Sequence, residues 1–136
     1  MGGESCWIWQ PVSIPPDALE VVLGYWVTGV SSDPDFDNDI FIAGIWDSTF
    51  QIEYVDARTG MFSFYHDPME WKRNLVKLDA GELTAIRGKV VIVAYRLTQD
   101  WLSGHSLTST AYADDVVLYV TRPIYDYVVF LPLVIR

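Results

Sequence analysis

A chain of 136 residues, half of them apolar and including six Trp, eight Tyr and six Phe, is long enough to bury one sizeable core and too hydrophobic to stay disordered. Nine basic against eighteen acidic side chains give a net charge of −9, which opposes nucleic acid and anionic membrane surfaces as partners and leaves cations and neutral ligands. No apolar run reaches the roughly 20 residues that span a bilayer, the nearest being Val128 to Ile135, broken by Pro132, so membrane insertion is not expected.

Along the chain, nearly every segment has a period of two. Lone Cys6 near the start has no second thiol for a disulfide or a thiolate metal site. Leu19, Val21, Leu23, Tyr25 and Val27 alternate with a second set, which predicts a strand with those five inward and Trp26 on the opposite face. Ile40 to Trp46 is apolar on both parities, as in a central strand covered on both sides. Gln51 to Val55 and Met61 to Tyr65 flank Asp56-Ala-Arg-Thr-Gly60, whose glycine suits a hairpin turn. The one place for a helical turn is Asp79 to Ile86, weakened by Gly81. Val90 to Leu97 reads as a strand after Arg87-Gly-Lys89, and Ala111 to Val120 as another after a polar loop over 98–109. No helix is long enough for parallel crossovers, so the fold class expected is all-β, a two-sheet antiparallel β-sandwich. The domain spans 1–121; the tail, 122–136, is β-prone and serves as an edge strand, a linker or a homodimer contact.

The stretch Thr110-Ala-Tyr-Ala-Asp-Asp-Val-Val-Leu-Tyr119 carries two adjacent carboxylates inside an otherwise apolar strand. Neighbouring strand side chains point to opposite faces, so at least one of Asp114 and Asp115 is expected on the core side, held there by hydrogen bonds or by a cation.

The order and spacing of Gly2-Gly3, Gln10-Pro-Val-Ser-Ile-Pro15, the strand from Leu19 to Val27, Asp39-Ile-Phe-Ile42, Trp71, Leu78-Asp79, the run from Gly88 to Asp100 and Tyr112-Ala-Asp-Asp-Val-Val-Leu118 resemble the galactose-binding-like jelly-roll domains of carbohydrate-binding modules, MAM-type adhesion domains and the C-terminal regions of immune-inhibitor-type and subtilisin-like secreted proteases. The resemblance covers about residues 2 to 120. It implies a jelly roll, an extracellular or cell-surface setting, and a calcium ion held near Asp114 or Asp115 with N-terminal oxygens, for which Glu4 is the nearest acid; Asp39 sits where related domains often place one. That pattern has one more strand upstream of Gly2-Gly3; its absence suggests either a domain cut from a longer precursor, with any export signal and neighbouring domains left behind, or an edge filled by something else such as the tail from Tyr127 to Ile135. The bulky aromatic that usually precedes the paired acids is missing, with Ala111 and Ala113 around Tyr112 instead.

Calcium takes about six to eight oxygen ligands, and Ser31-Ser-Asp-Pro-Asp-Phe-Asp-Asn-Asp39 offers Asp33, Asp35, Asp37 and Asp39 at every second position. It is not an EF-hand, since Asn38 and Gly44 stand where Gly and Glu are required counting from Asp33. The competing reading is a solvated loop with Asp115 capping backbone amides. Sugar recognition needs exposed aromatic rings and a few polar groups; Trp26, Trp101 and Trp7 or Trp9 are the candidate platforms and Arg96 the candidate donor, while Trp46 and Trp71 read as structural. Catalysis has no support in a nucleophile elbow, a zinc helix or a phosphate loop, and His66 and His105 sit in expected loops. The expectation is therefore a non-catalytic, calcium-binding module for a polysaccharide or glycan, or for adhesion, with a structural spacer or oligomerising sandwich as the alternative.

Overall fold

The computed structural model describes residues 4–32, 39–99, 109–123 and 126–130. Their elements are β1 (Glu4–Ser13), β2 (Glu20–Ser31), β3 (Ile40–Asp47), β4 (Glu53–Gly60), α1 (Phe62–His66), β5 (Lys72–Lys77), α2 (Ala80–Ile86), β6 (Val90–Gln99), β7 (Ser109–Thr121) and β8 (Asp126–Phe130). The strands form two antiparallel four-stranded sheets, β1-β6-β3-β4 and β5-β2-β7-β8, so the chain is an all-β sandwich. The pairs β2·β7 and β3·β6 nest within one another in sequence and fall in opposite sheets, which is jelly-roll winding. The outer strands depart from it: β1 joins β6 while β8 joins β7.

Period-two alternation decides which side chains meet between the sheets. Val21, Leu23, Tyr25 and Val27 of β2 face Phe41, Ala43 and Ile45 of β3 and Val91, Val93, Tyr95 and Leu97 of β6, all of them buried in one core cluster. At its centre Tyr25, Phe41 and Tyr95 form a three-ring contact with centroids 5.7–5.9 Å apart. Leu19 does not join it. The strand begins one residue later, at Glu20, and Leu19 stays exposed.

The chain between β3 and β5 differs from the hairpin expected around 56–60. The tight turn falls earlier, at 47–52, so β4 runs straight through Asp56 to Gly60 against β3. Met61 to Tyr65 is then not a strand: its main part is the short helix α1, which buries Met61 and Phe64 over one end of the core. Helix α2 forms where expected, and a capping box fixes its start. The Asp79 side chain accepts from the Glu82 N–H at 2.7 Å, and Glu82 accepts from the Asp79 N–H at 2.8 Å. Leu83 and Ile86 are its buried face.

In the tail, residues 126–130 lie along β7 as the edge strand of the second sheet. Pro132 lies outside the described residues.

The two core tyrosines differ in how their hydroxyls are treated. Burial pushes the Tyr25 phenol up to about 12, and its hydroxyl hydrogen-bonds Thr59. The Tyr95 hydroxyl is buried and meets no hydrogen-bond partner among the described residues. Leaving such a group unmet costs about 1–3 kcal/mol, whereas a made bond contributes about 1 kcal/mol. Tyr95→Phe is therefore expected to hold or raise stability and Tyr25→Phe to lower it by about 1 kcal/mol, as measured by chemical denaturation.

Candidate functional site

Because Tyr95 and Phe41 point inward, Arg96 on β6 and Ile42, Gly44 and Trp46 on β3 must point out. Pairing then sets neighbours: β1 places Trp7 opposite Arg96 and Trp9 opposite Ala94, while β3 places Ile42 opposite Arg96 and Gly44 opposite Ala94. Ile42, Ile92 and Ala94 are almost completely buried although they belong to the outer face and lie outside the main core cluster. They form the floor of a second, shallower layer.

The roof and walls of that layer are aromatic. Trp7, Trp9, Trp46, Phe50 and Arg96 line an open groove of about 390 Å³. Phe50 is its hub, edge-on to Trp7 and Trp9 at centroid separations of 6.3 and 5.4 Å and tilted against Trp46 at 6.1 Å. The Arg96 guanidinium lies 4.9 Å from the Trp7 ring centre and 5.9 Å from that of Trp46, within cation–π range of both. Gly44 makes room for this packing. A β-carbon there would come within 2.9 Å of the Val55 carbonyl oxygen and 3.3 Å of the Trp46 ring nitrogen, so any side chain would displace the indole or β4.

Phe50 reaches the groove from a strained position. Its φ of 58° is left-handed, a conformation that a bulky residue adopts at a cost of about 1–3 kcal/mol unless its surroundings impose it. Asp47 imposes it: its carboxylate accepts from the N–H groups of Gln51 and Ile52, each at 2.7 Å, and from the Thr49 hydroxyl and N–H. These donors, the Thr49 hydroxyl foremost, lower the carboxyl to about 2.

Behind the aromatic wall lies a compact charge cluster. Arg96 Nη2 is 3.7 Å from Glu53 Oε2, with both side chains largely buried. Arg96 Nε and Glu53 Oε1 are buried with no hydrogen-bond partner among the described residues. Desolvation, and then the charge of neighbouring Asp56, raises the Glu53 carboxyl, while the Arg58 guanidinium holds Asp56 down through two 3.0 Å bonds.

The residues singled out in the sequence divide between faces and ends. Arg96 is at the heart of the groove, with Trp7 and Trp9. Trp46, expected to be structural, is one of its walls, because apolar residues on both parities of β3 serve two different layers. Trp71, also read as structural, is exposed. Trp26 is not with Arg96 but on the outer face of the other sheet, beside Arg73, Asp115 and Tyr119 in a separate hollow of about 300 Å³. Trp101, Asp37 and His105 lie outside the described residues; Glu4 falls in β1, and His66 ends α1 rather than lying in a loop.

The paired acids correct the expectation that one must face the core. Gly24 pairs with Val117 but Trp26 with Asp114, so Tyr25 alone opposes Asp115 and Val116: a β-bulge. Asp115 takes a left-handed φ of 48°, its N–H donates to Asp114 Oδ1 at 2.8 Å, and both carboxylates turn outward. An acidic side chain tolerates that conformation better than an apolar one, which accounts for Asp at the bulge. Asp39 is instead fully buried, its carboxylate taking a short hydrogen bond from the Ser109 hydroxyl, which lies 2.7 Å from that of Ser31. Ser109 and Asp114 are five residues apart on one strand, roughly 17 Å, so Asp39 and the acid pair cannot share one ion. Among the described residues, no three acidic, His or Cys side chains converge as a metal cage.

The fold and the site together define a two-sheet antiparallel sandwich with an aromatic, arginine-centred groove on the outer face of one sheet. No family model, curated protein or solved structure matches the chain.

Asp47 has the lower carboxyl in the folded state, so its contribution is complete above the ordinary carboxylate value of about 3.9 and is lost as the pH falls toward 2. Tryptophan emission from the groove should shift across that window. In Asp47→Asn it should be shifted already at neutral pH and should not follow this titration.

Proposed function

We propose that this protein is a non-catalytic module of a secreted or surface protein that binds carbohydrate in the groove formed by Trp7, Trp9, Trp46, Phe50 and Arg96. One observation carries the reading: two indoles, Trp9 53% and Trp7 38% exposed, line an open groove around a guanidinium packed on Trp7 and Trp46. Leaving such rings in water has a hydrophobic cost, and pyranose C–H faces are a natural cover for them. The guanidinium supplies several donors in a fixed fork, which suits ring hydroxyls. Its packing on two tryptophans holds that fork before any ligand arrives, so little order is lost on binding. A spacer or oligomerising sandwich has no use for a charged group at the centre of an aromatic groove.

The reading is tested by affinity electrophoresis in soluble polysaccharides and by pull-down on insoluble ones. Trp9→Ala is expected to weaken binding about tenfold or more while leaving the melting temperature close to that of the parent, since an exposed ring contributes more to stacking than to folding. Retained binding in both Trp7→Ala and Trp9→Ala would remove the groove from the function.

Calcium enters the same proposal as a stabiliser at the Asp39 end of the sandwich. A fully buried carboxylate directly after Asp33, Asp35 and Asp37 in sequence supports an ion there better than the exposed acids of the β7 bulge. An ion bound only by the folded state, present at a hundred times its dissociation constant, adds about 2.7 kcal/mol. EDTA should then lower the melting temperature of the parent and leave Asp39→Asn unmoved; an unchanged parent melting curve would exclude the ion.

A further inference from the structure

Among the described residues that line the groove, Arg96 is the only charged side chain, yet it does not act as a bare cation. Glu53 stands 3.7 Å behind it, Asp56 next to Glu53, and Arg58 closes the row with its two bonds to Asp56. Two guanidinium groups and two carboxyls stand in a row that runs from β6 to β4, and the row sums to zero when both carboxyls are ionised. The chain around this row carries −9. A group approaching the groove thus meets hydrogen-bond donors without net positive charge, and beyond them an acidic surface.

That combination distinguishes between sugars. An uncharged ring offers hydroxyl oxygens to the guanidinium and a C–H face to Trp9, and has no charge to be repelled. A uronate or sulfated ring would approach Arg96 beside Glu53, whose Oε2 lies 3.7 Å from Nη2, and would suffer repulsion from that carboxylate and from the rest of the chain.

Building on the carbohydrate reading above, we infer that the groove selects neutral pyranosides and that Glu53 is the residue that excludes acidic ones. Glu53 does not need to touch the ligand. It sets selectivity through its charge beside Arg96.

The test is a glycan array in which neutral hexose and pentose oligomers are printed beside their uronate-containing and sulfated counterparts. The parent protein should bind neutral features and bind acidic ones at least about tenfold more weakly, the size expected for one like-charge contact at partial solvent screening. Glu53→Gln, which keeps shape and removes charge, should close that gap by strengthening the acidic features while neutral binding changes little. Salt gives an arm that needs no variant. Raising sodium chloride from 50 to 500 mM should improve acidic relative to neutral binding in the parent, because screening relieves a repulsion; a relative loss would show that acidic sugars are attracted. Preference of the parent for acidic features, or a Glu53→Gln array identical to the parent's, overturns the assignment of Glu53 while leaving a sugar-binding groove in place. Binding to no feature at all overturns the carbohydrate reading itself, and the selectivity with it.

Discussion

The contact among Tyr25, Phe41 and Tyr95 determines most of what else the molecule can present. It joins β2 of one sheet to β3 and β6 of the other, and in a strand, fixing one side chain fixes the direction of all its neighbours. With Tyr95 inward, Arg96 is necessarily outward. With Phe41 inward, Gly44 and Trp46 follow the same rule. A slip of one residue in β6 would bring a guanidinium into the core and expose a buried tyrosine, an exchange costly enough that the register is firmly specified.

The outer face of the first sheet then solves a second packing problem. Its central strands present Ile42, Ile92 and Ala94 to that side, and these would be exposed without a cover. Most antiparallel sheets cover such a face with polar side chains or leave it to solvent. Here the cover is a layer of aromatic rings from β1, β3 and the turn after β3, with one arginine set among them. The bare backbone at Gly44 and the single methyl of Ala94 let this layer sit low enough to form a hollow. The strained turn at Phe50 belongs to the same arrangement, since the residue with the left-handed φ is the one whose ring meets Trp7, Trp9 and Trp46.

The main strands were legible from the sequence: β2 by its alternation and β3, β6 and β7 as β-prone runs bounded by turn residues all fall within a few residues of where the sequence puts them, and α2 lies within the stretch from Asp79 to Ile86. The region from 51 to 65 was not, because Gly60 resembles a turn glycine while the actual turn is built by a single carboxylate, Asp47, gathering donors up to five residues ahead. The alternation rule also misled at Asp114 and Asp115, since a bulge suspends it for one residue, and nothing in the composition of β7 marks a bulge except the acid pair itself. Arg96, Trp7 and Trp9 could be singled out one at a time. That they meet depends on the register of β1 against β6, nearly ninety residues later in the chain, which no local spacing encodes. The signal available was the shared parity of Trp7 and Trp9, two exposed indoles on one face of one strand.

Trp7 and Trp9 belong to an edge strand. Among the described residues β1 is held by β6 alone, so its ladder can open from one side without disturbing the rest of the sheet, and the amides of such strands exchange with solvent sooner than those of central ones. Each opening would carry both indoles away from Arg96 and dissolve half of the groove. Anything bound on those rings would therefore also latch the strand, and slower deuterium uptake along 4–13 would record it.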